Sequence, residues 1–204
     1  PEIVSKIGGG GTKTYTWVIT AYLLTSTTAT PLFGKFSDLY GRKRLTQIAI
    51  SIFLLGLVFC ALAPSMPILV AARAFEGIGS GGIMAMTFVV IADIVPPRER
   101  GRYVGAFTSV FAVAGVLGPL VGGVIVDNFS WRWAFFVNIP SGILCLITLM
   151  FVPKSTNRVA HRIDVRGALL IAGAAASLLL AIGGTGGQVR FLSVRTIGLV
   201  CLSV

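Results

Sequence analysis

Five long stretches of this chain carry no charged side chain: Thr14–Gly34, Leu45–Val70, Tyr103–Val126, Trp133–Pro153 and Gly167–Val189. A sixth, Ala74–Ala92, is interrupted only by Glu76. Roughly 20 helical residues cross about 30 Å of hydrocarbon. A soluble core of this size has no room for so many such runs. With 55% hydrophobic and 12% charged residues and a mean hydropathy of +0.90, the composition points to a membrane protein. Lipid cannot satisfy open backbone groups, and the runs lack a barrel's alternation, so helices are expected. The punctuation "APSMP" divides Leu45–Val70, placing one helix end near Ala63 and the next helix from about Ile68 to Ile94. Thr196–Val204 reads as the start of one more helix. The expectation is an all-α polytopic membrane protein with six helices and a stub. The chain begins at Pro1 and ends inside an apolar run, and is read as a fragment.

The net charge of +10 gathers between the apolar segments, which reads as topology and not as nucleic-acid binding. Three loops, 35–44, 96–102 and 154–166, hold four, three and four Lys/Arg. The opposite face holds five: Lys6, Lys13, Arg132, Arg190 and Arg195. The richer face is expected to be cytoplasmic, with Pro1–Lys13 and Pro64–Pro67 outside. Arg190 and Arg195 run against that assignment for the last hairpin. Trp17, Trp131 and Trp133 fall near the expected outer ends, as an interfacial belt would. Cys60, Cys145 and Cys201 lie in apolar runs without metal or redox spacing and read as small core residues. The single histidine, His161, sits in a basic loop. Metal, cofactor and enzyme readings therefore have few convergent groups to build on. "GGGG" at Gly8–Gly11 and "GIGSGG" lack the Lys-Ser/Thr of a phosphate loop, which argues against ATP-driven transport.

Against this background "GKFSDLYGRKR", Gly34–Arg44, packs five charges and two glycines into a presumed turn. Asp38 and Arg42 are four apart, a pairing distance on a helix. Gly34 suits close helix approach, and Gly41 suits a tight turn. The simplest reading is an ordinary basic loop. The spacing G-x-x-x-D-x-x-G-R-K, through Gly34, Asp38, Gly41, Arg42 and Lys43, is more specific and resembles the loop between the second and third helices of the major facilitator superfamily. The resemblance implies a cytoplasmic latch that holds one transport state, joined by an acid at the end of the fourth helix, where Asp93 lies.

"RAFEGIGSGG" places Arg73, Glu76, Gly77, Ser80 and Met84 on one helical face. Charges within a span usually face a protein interior or a water cavity. One reading is a self-satisfied i,i+3 ion pair with Arg73 snorkelling; the other is a proton-coupling site. The stretch resembles the superfamily's fourth-helix pattern R-x-x-Q-G-x-G through Arg73, Gly77 and Gly79, and departs from it at Glu76. Further on, Gly115, Gly118, Pro119, Gly122 and Gly123 suit a close-packed, kinked helix. They also resemble the antiporter pattern on the fifth helix of the family's drug exporters, with Ala114 where a glycine is common. "SWRWAFFVNIPSG" and "DVRGALL" resemble the sixth helix and the extra central pair of the fourteen-helix drug:proton antiporter branch.

The resemblance covers nearly the whole chain. It implies an extracytoplasmic tail at 1–13 after a missing first helix, helices two to six of the N-terminal half over 14–153, a cytoplasmic basic loop at 154–166, and a linker helix with the start of another over 167–204. It implies a multi-pass protein of the plasma or inner membrane whose partners are a small-molecule substrate, protons, the bilayer and a missing C-terminal half, without cofactor. The function so implied is proton-coupled export of amphipathic or cationic compounds. Export of a specific metabolite or siderophore, and a non-transporting scaffold or sensor, are the alternatives. Seven Thr and Ser residues between Thr16 and Thr30 are expected to line a cavity in part, the remainder bonding back to their own helix.

Overall fold

The computed structural model describes residues 12–151 and 173–174, all helix and short turns, with no strand among them. In chain order the helices are α1 (Thr12–Tyr40), α2 (Arg42–Leu62), α3 (Met66–Ile94), α4 (Arg100–Asn128), the single turn α5 (Trp133–Phe136) and α6 (Asn138–Phe151). Four segments are long and apolar enough to span a membrane: α2, α3, α4, and α5 together with α6. The first helix has the length, 29 residues, with its apolarity diluted by threonines.

The helix ends follow local chemistry. Ala63, just before Pro64, leaves helical geometry and closes α2. Ser65 is extended and Pro67 lies in the first turn of α3, where its missing N–H costs nothing. The third helix thus begins slightly earlier than its hydropathy suggests. It ends at extended Val95, ahead of Pro96 and Pro97. Arg100 closes that end by donating to the carbonyls of Ala92 at 2.5 Å and Val95 at 3.2 Å.

The basic segment at Gly34–Arg44 is not a loop. The first helix continues through it to Tyr40, and only Gly41, at φ 85°, separates it from α2. That positive-φ backbone, which glycine adopts without strain, lets one helix end and the next begin across a single residue. The expected run Trp133–Pro153 holds one span, Trp133–Phe151, in which a turn at Val137 separates α5 from α6.

Helix α3 is the axis of the bundle, packed along α1 on one side and α2 on the other. The glycines of "GIGSGG" allow this. A Cβ at Gly77 or Gly81 would meet the backbone of α1 at Tyr22 or Ser26, and one at Gly79 would meet Phe53 of α2. Two apolar cores result. Ala29, Phe33, Leu45, Ala49, Ala85 and Met86 fill the end near Gly41. Cys60, Ala63, Met66, Leu69, Ala72 and Trp131 fill the other. Trp131 is therefore a core residue and not part of an interfacial belt; Trp17 and Trp133 are exposed. Helix α4 has no buried residue and meets α3 through an edge-to-face contact of Phe88 with Phe107.

Candidate functional site

The two charged groups expected within or beside the spans form two ion pairs. The first is inside the bundle. Gly56 of α2 lies against the backbone of Glu76 on α3 so closely that a Cβ there would stand 2.5 Å from the Glu76 Cα. This crossing buries the Glu76 carboxylate, which is 3% exposed. One turn above Glu76, Arg73 reaches down the same face, and its Nη1 donates to Oε1 at 3.1 Å and Oε2 at 3.0 Å. From α2, the Cys60 thiol donates to Oε2 at 3.3 Å. The carboxylate thus has donors from two helices. The Arg73 guanidinium lies over the Tyr22 ring of α1 at 4.8 Å and the Phe135 ring of α5 at 5.6 Å. Its Nε is buried and has no acceptor among the described residues. Tyr22 is fixed by a 2.7 Å hydrogen bond between its hydroxyl and that of Ser80, and Phe135 by an edge-to-face contact with Trp131. Four helices therefore converge on one arginine–glutamate pair.

The second pair is at the Gly41 end, where Arg42 at the start of α2 pairs with Asp93 at the end of α3. The expected Asp38–Arg42 pairing is absent. Gly41 breaks the helix between the two residues, so four-residue helical spacing no longer applies, and Asp38 is exposed. Lys43 donates to the Met150 carbonyl at 2.9 Å, tying the start of α2 to the end of α6. Gly34 does not serve close approach, since a Cβ there would meet nothing within 4 Å.

The glycine face of α4 makes no close contact among the described residues. Gly115, Gly118, Gly122 and Gly123 have open space at the Cβ position, and Pro119 sits within a continuous helix. On α1, Thr25 and Thr30 bond back to the carbonyls of Ala21 and Ser26, and Thr30 also reaches the Gly81 carbonyl at 3.3 Å. Thr28 Oγ1 is buried and has no partner among the described residues. Of the sequence-singled residues, Cys60 is as buried as expected, while Cys145 is exposed. Sequence reasoning missed the link from Cys60 to Glu76. His161, Cys201 and the segments 1–11, 154–166 and most of 167–204 lie outside the described residues.

The family model of the Major Facilitator Superfamily matches residues 9–193. The chain belongs to this superfamily. It is a multi-pass membrane protein whose described helices form part of a bundle of that type. It is 39% identical over 195 residues to the efflux pump FUS6 of Gibberella fujikuroi, covering 92% of this chain and 35% of that protein. It is 35% identical over 204 residues to the MFS-type efflux pump LUC4 of a Fusarium species, covering 97% of this chain and 36% of that protein. Multidrug resistance protein 3 of Bacillus subtilis is 35% identical over 191 residues, covering 93% and 37%. The chain spans about a third of the length of these relatives.

Proposed function

We propose that the full-length protein is a proton-coupled secondary transporter that exports amphipathic or cationic compounds by alternating access. The observation that carries this reading is the Arg73–Glu76 pair, with its carboxylate buried between α2 and α3. A buried charge pair within a span is costly and is retained where charge or protons are handled. Relatives named as efflux pumps and as a multidrug resistance protein favour the outward direction of transport. In this reading α1 to α6 supply helices two to six of the N-terminal half, and the Gly41 end faces the cytoplasm. The Arg42–Asp93 pair holds one state and breaks in the other. The glycines of α4 would then meet a helix outside the described residues.

Proteoliposomes of the full-length protein with an imposed pH gradient test this. Arg73→Ala should abolish uphill export and spare downhill exchange of substrate. Glu76→Gln restores the residue usual in the pattern. Export that survives it assigns Glu76 to holding Arg73; lost coupling at normal expression assigns it a proton of its own. Unchanged uphill export in both variants would remove the pair from the mechanism.

A further inference from the structure

The surroundings of Arg73 form a cation site in their own right. Two aromatic rings from different helices, Tyr22 and Phe135, flank one guanidinium. The carboxylate of Glu76, a residue only 3% exposed, accepts its hydrogen bonds. Rings and a desolvated carboxylate are the chemistry by which proteins recognise organic cations. Each ring is held independently of Arg73: Tyr22 through Ser80, and Phe135 through Trp131. Glu76 keeps a further donor in Cys60. The receptor therefore stays assembled when its occupant leaves.

The occupant itself is imperfectly satisfied. Arg73 meets Glu76 through Nη1 alone, and its buried Nε has no acceptor among the described residues. A buried unpaired donor is a cost that departure relieves. The Arg73 side chain is 24% exposed among the described residues, against 4% for that of Glu76. Arg73 is also on a flexible stem that can carry its head away from the rings.

We propose that Tyr22, Phe135 and Glu76 form a binding site for an organic cation with a planar guanidinium-like head and an apolar tail, and that Arg73 occupies it in cis as a displaceable competitor. This deepens the export reading and rests on it for the cation's role as cargo. Exchange of one monovalent cation for another leaves the site's charge unchanged, so entry needs no compensating ion at this point. The rings and the carboxylate select the head.

Equilibrium dialysis of radiolabelled hexylguanidinium against the full-length protein in lipid nanodiscs tests the proposal, with neutral hexylurea as control. Saturable binding of the cation, and none of the urea, is expected. Glu76→Gln should weaken binding about tenfold or more, as should the double variant Tyr22→Leu/Phe135→Leu. Tyr22→Phe keeps the ring and should bind nearly as well. The sign of the arginine variants is decisive. Arg73→Met removes the competitor and should tighten binding several-fold, whereas a purely structural pair predicts weaker binding. Arg73→Gln still donates to Glu76 without charge and should shift affinity the same way, which covers the case of a poorly folding Arg73→Met. Unchanged or weaker binding in a folded arginine variant overturns the proposal. Binding is read without a proton gradient, so it separates the two readings. Residue-dependent binding by a protein that does not export supports the site and sinks the export function. Binding indifferent to Glu76→Gln in an active exporter sinks the site alone.

Discussion

Gly56 and Glu76 meet where α2 crosses α3, and a Cβ on Gly56 would stand 2.5 Å from the Cα of Glu76. The contact is with backbone, so no side-chain rotation relieves it. Gly56→Ala should force the helices apart at the buried ion pair and destabilise the bundle by about 1–3 kcal/mol. Gly34→Ala, at a helical position with open space, should leave stability unchanged or raise it slightly. Thermal unfolding of the two variants in detergent checks the contrast. Equal melting temperatures would contradict the crossing.

At Gly41 the constraint is torsional. A Cβ there meets nothing within 4 Å, yet φ is 85°. Gly41→Ala should therefore cost about 1 kcal/mol or more through backbone strain. Gly41→Asn should not recover the loss in the same melting assay, because ψ is 139°, far from the left-handed helical region that Asn tolerates.

The Arg42–Asp93 pair predicts different outcomes for two acids near the same turn. Asp93→Asn removes the observed partner of Arg42 and should lower stability at low ionic strength, with the loss shrinking in high salt because the pair is partly exposed. Asp38→Asn should leave stability of this conformation unchanged, Asp38 having no ion pair among the described residues. The Arg42–Asp93 latch predicts that Asp93→Asn, and not Asp38→Asn, changes the rate of the outward-to-inward cycle. The reversed pair Arg42→Asp/Asp93→Arg should restore stability relative to either single change. Salt-resolved melting and single-turnover transport measure these effects. Wild-type transport by Asp93→Asn would exclude that residue from the latch.

The spans were legible because absence of charge is a local property of the sequence. Helix limits near Ala63 and Ile94 followed from prolines and hydropathy. The charge density of Gly34–Tyr40 reads as a solvent-facing loop, whereas Lys35 and Asp38 are accommodated on a helix that continues past the apolar stretch. The Arg73–Glu76 pair was legible from i,i+3 spacing on one helix. Its contacts with Cys60, Tyr22 and Phe135 join residues distant in sequence, and depend on which faces the glycines of α3 bring together. Trp131 was misplaced for the same reason: its burial depends on packing against α2 and α3, which its position beside Arg132 does not reveal.

Orientation rests on the Lys/Arg asymmetry and is testable with single cysteines. With Cys60, Cys145 and Cys201 replaced, Ser65→Cys, in the short turn between α2 and α3, should react with an impermeant maleimide in intact cells. Arg98→Cys, exposed between α3 and α4, should react only after permeabilisation. The reverse pattern would place the Gly41 end outside.

Cys60 gives the most specific prediction about the buried pair. Its thiol is fully buried and donates to Glu76 Oε2 at 3.3 Å from another helix. A neutral donor to a desolvated carboxylate helps satisfy it without adding charge. Cys60→Ala removes that donor and should cost about 1–3 kcal/mol. Cys60→Ser keeps a donor of similar size and should recover most of the loss, a pattern that packing alone would not produce. Infrared spectroscopy gives a second readout. In a protein retaining only Cys60, the S–H stretching band should lie below that of a free thiol and move up in Glu76→Gln, where a neutral amide replaces the carboxylate. A band that ignores the substitution would show that the thiol does not bond to Glu76, and would leave Arg73 as that carboxylate's sole side-chain donor among the described residues.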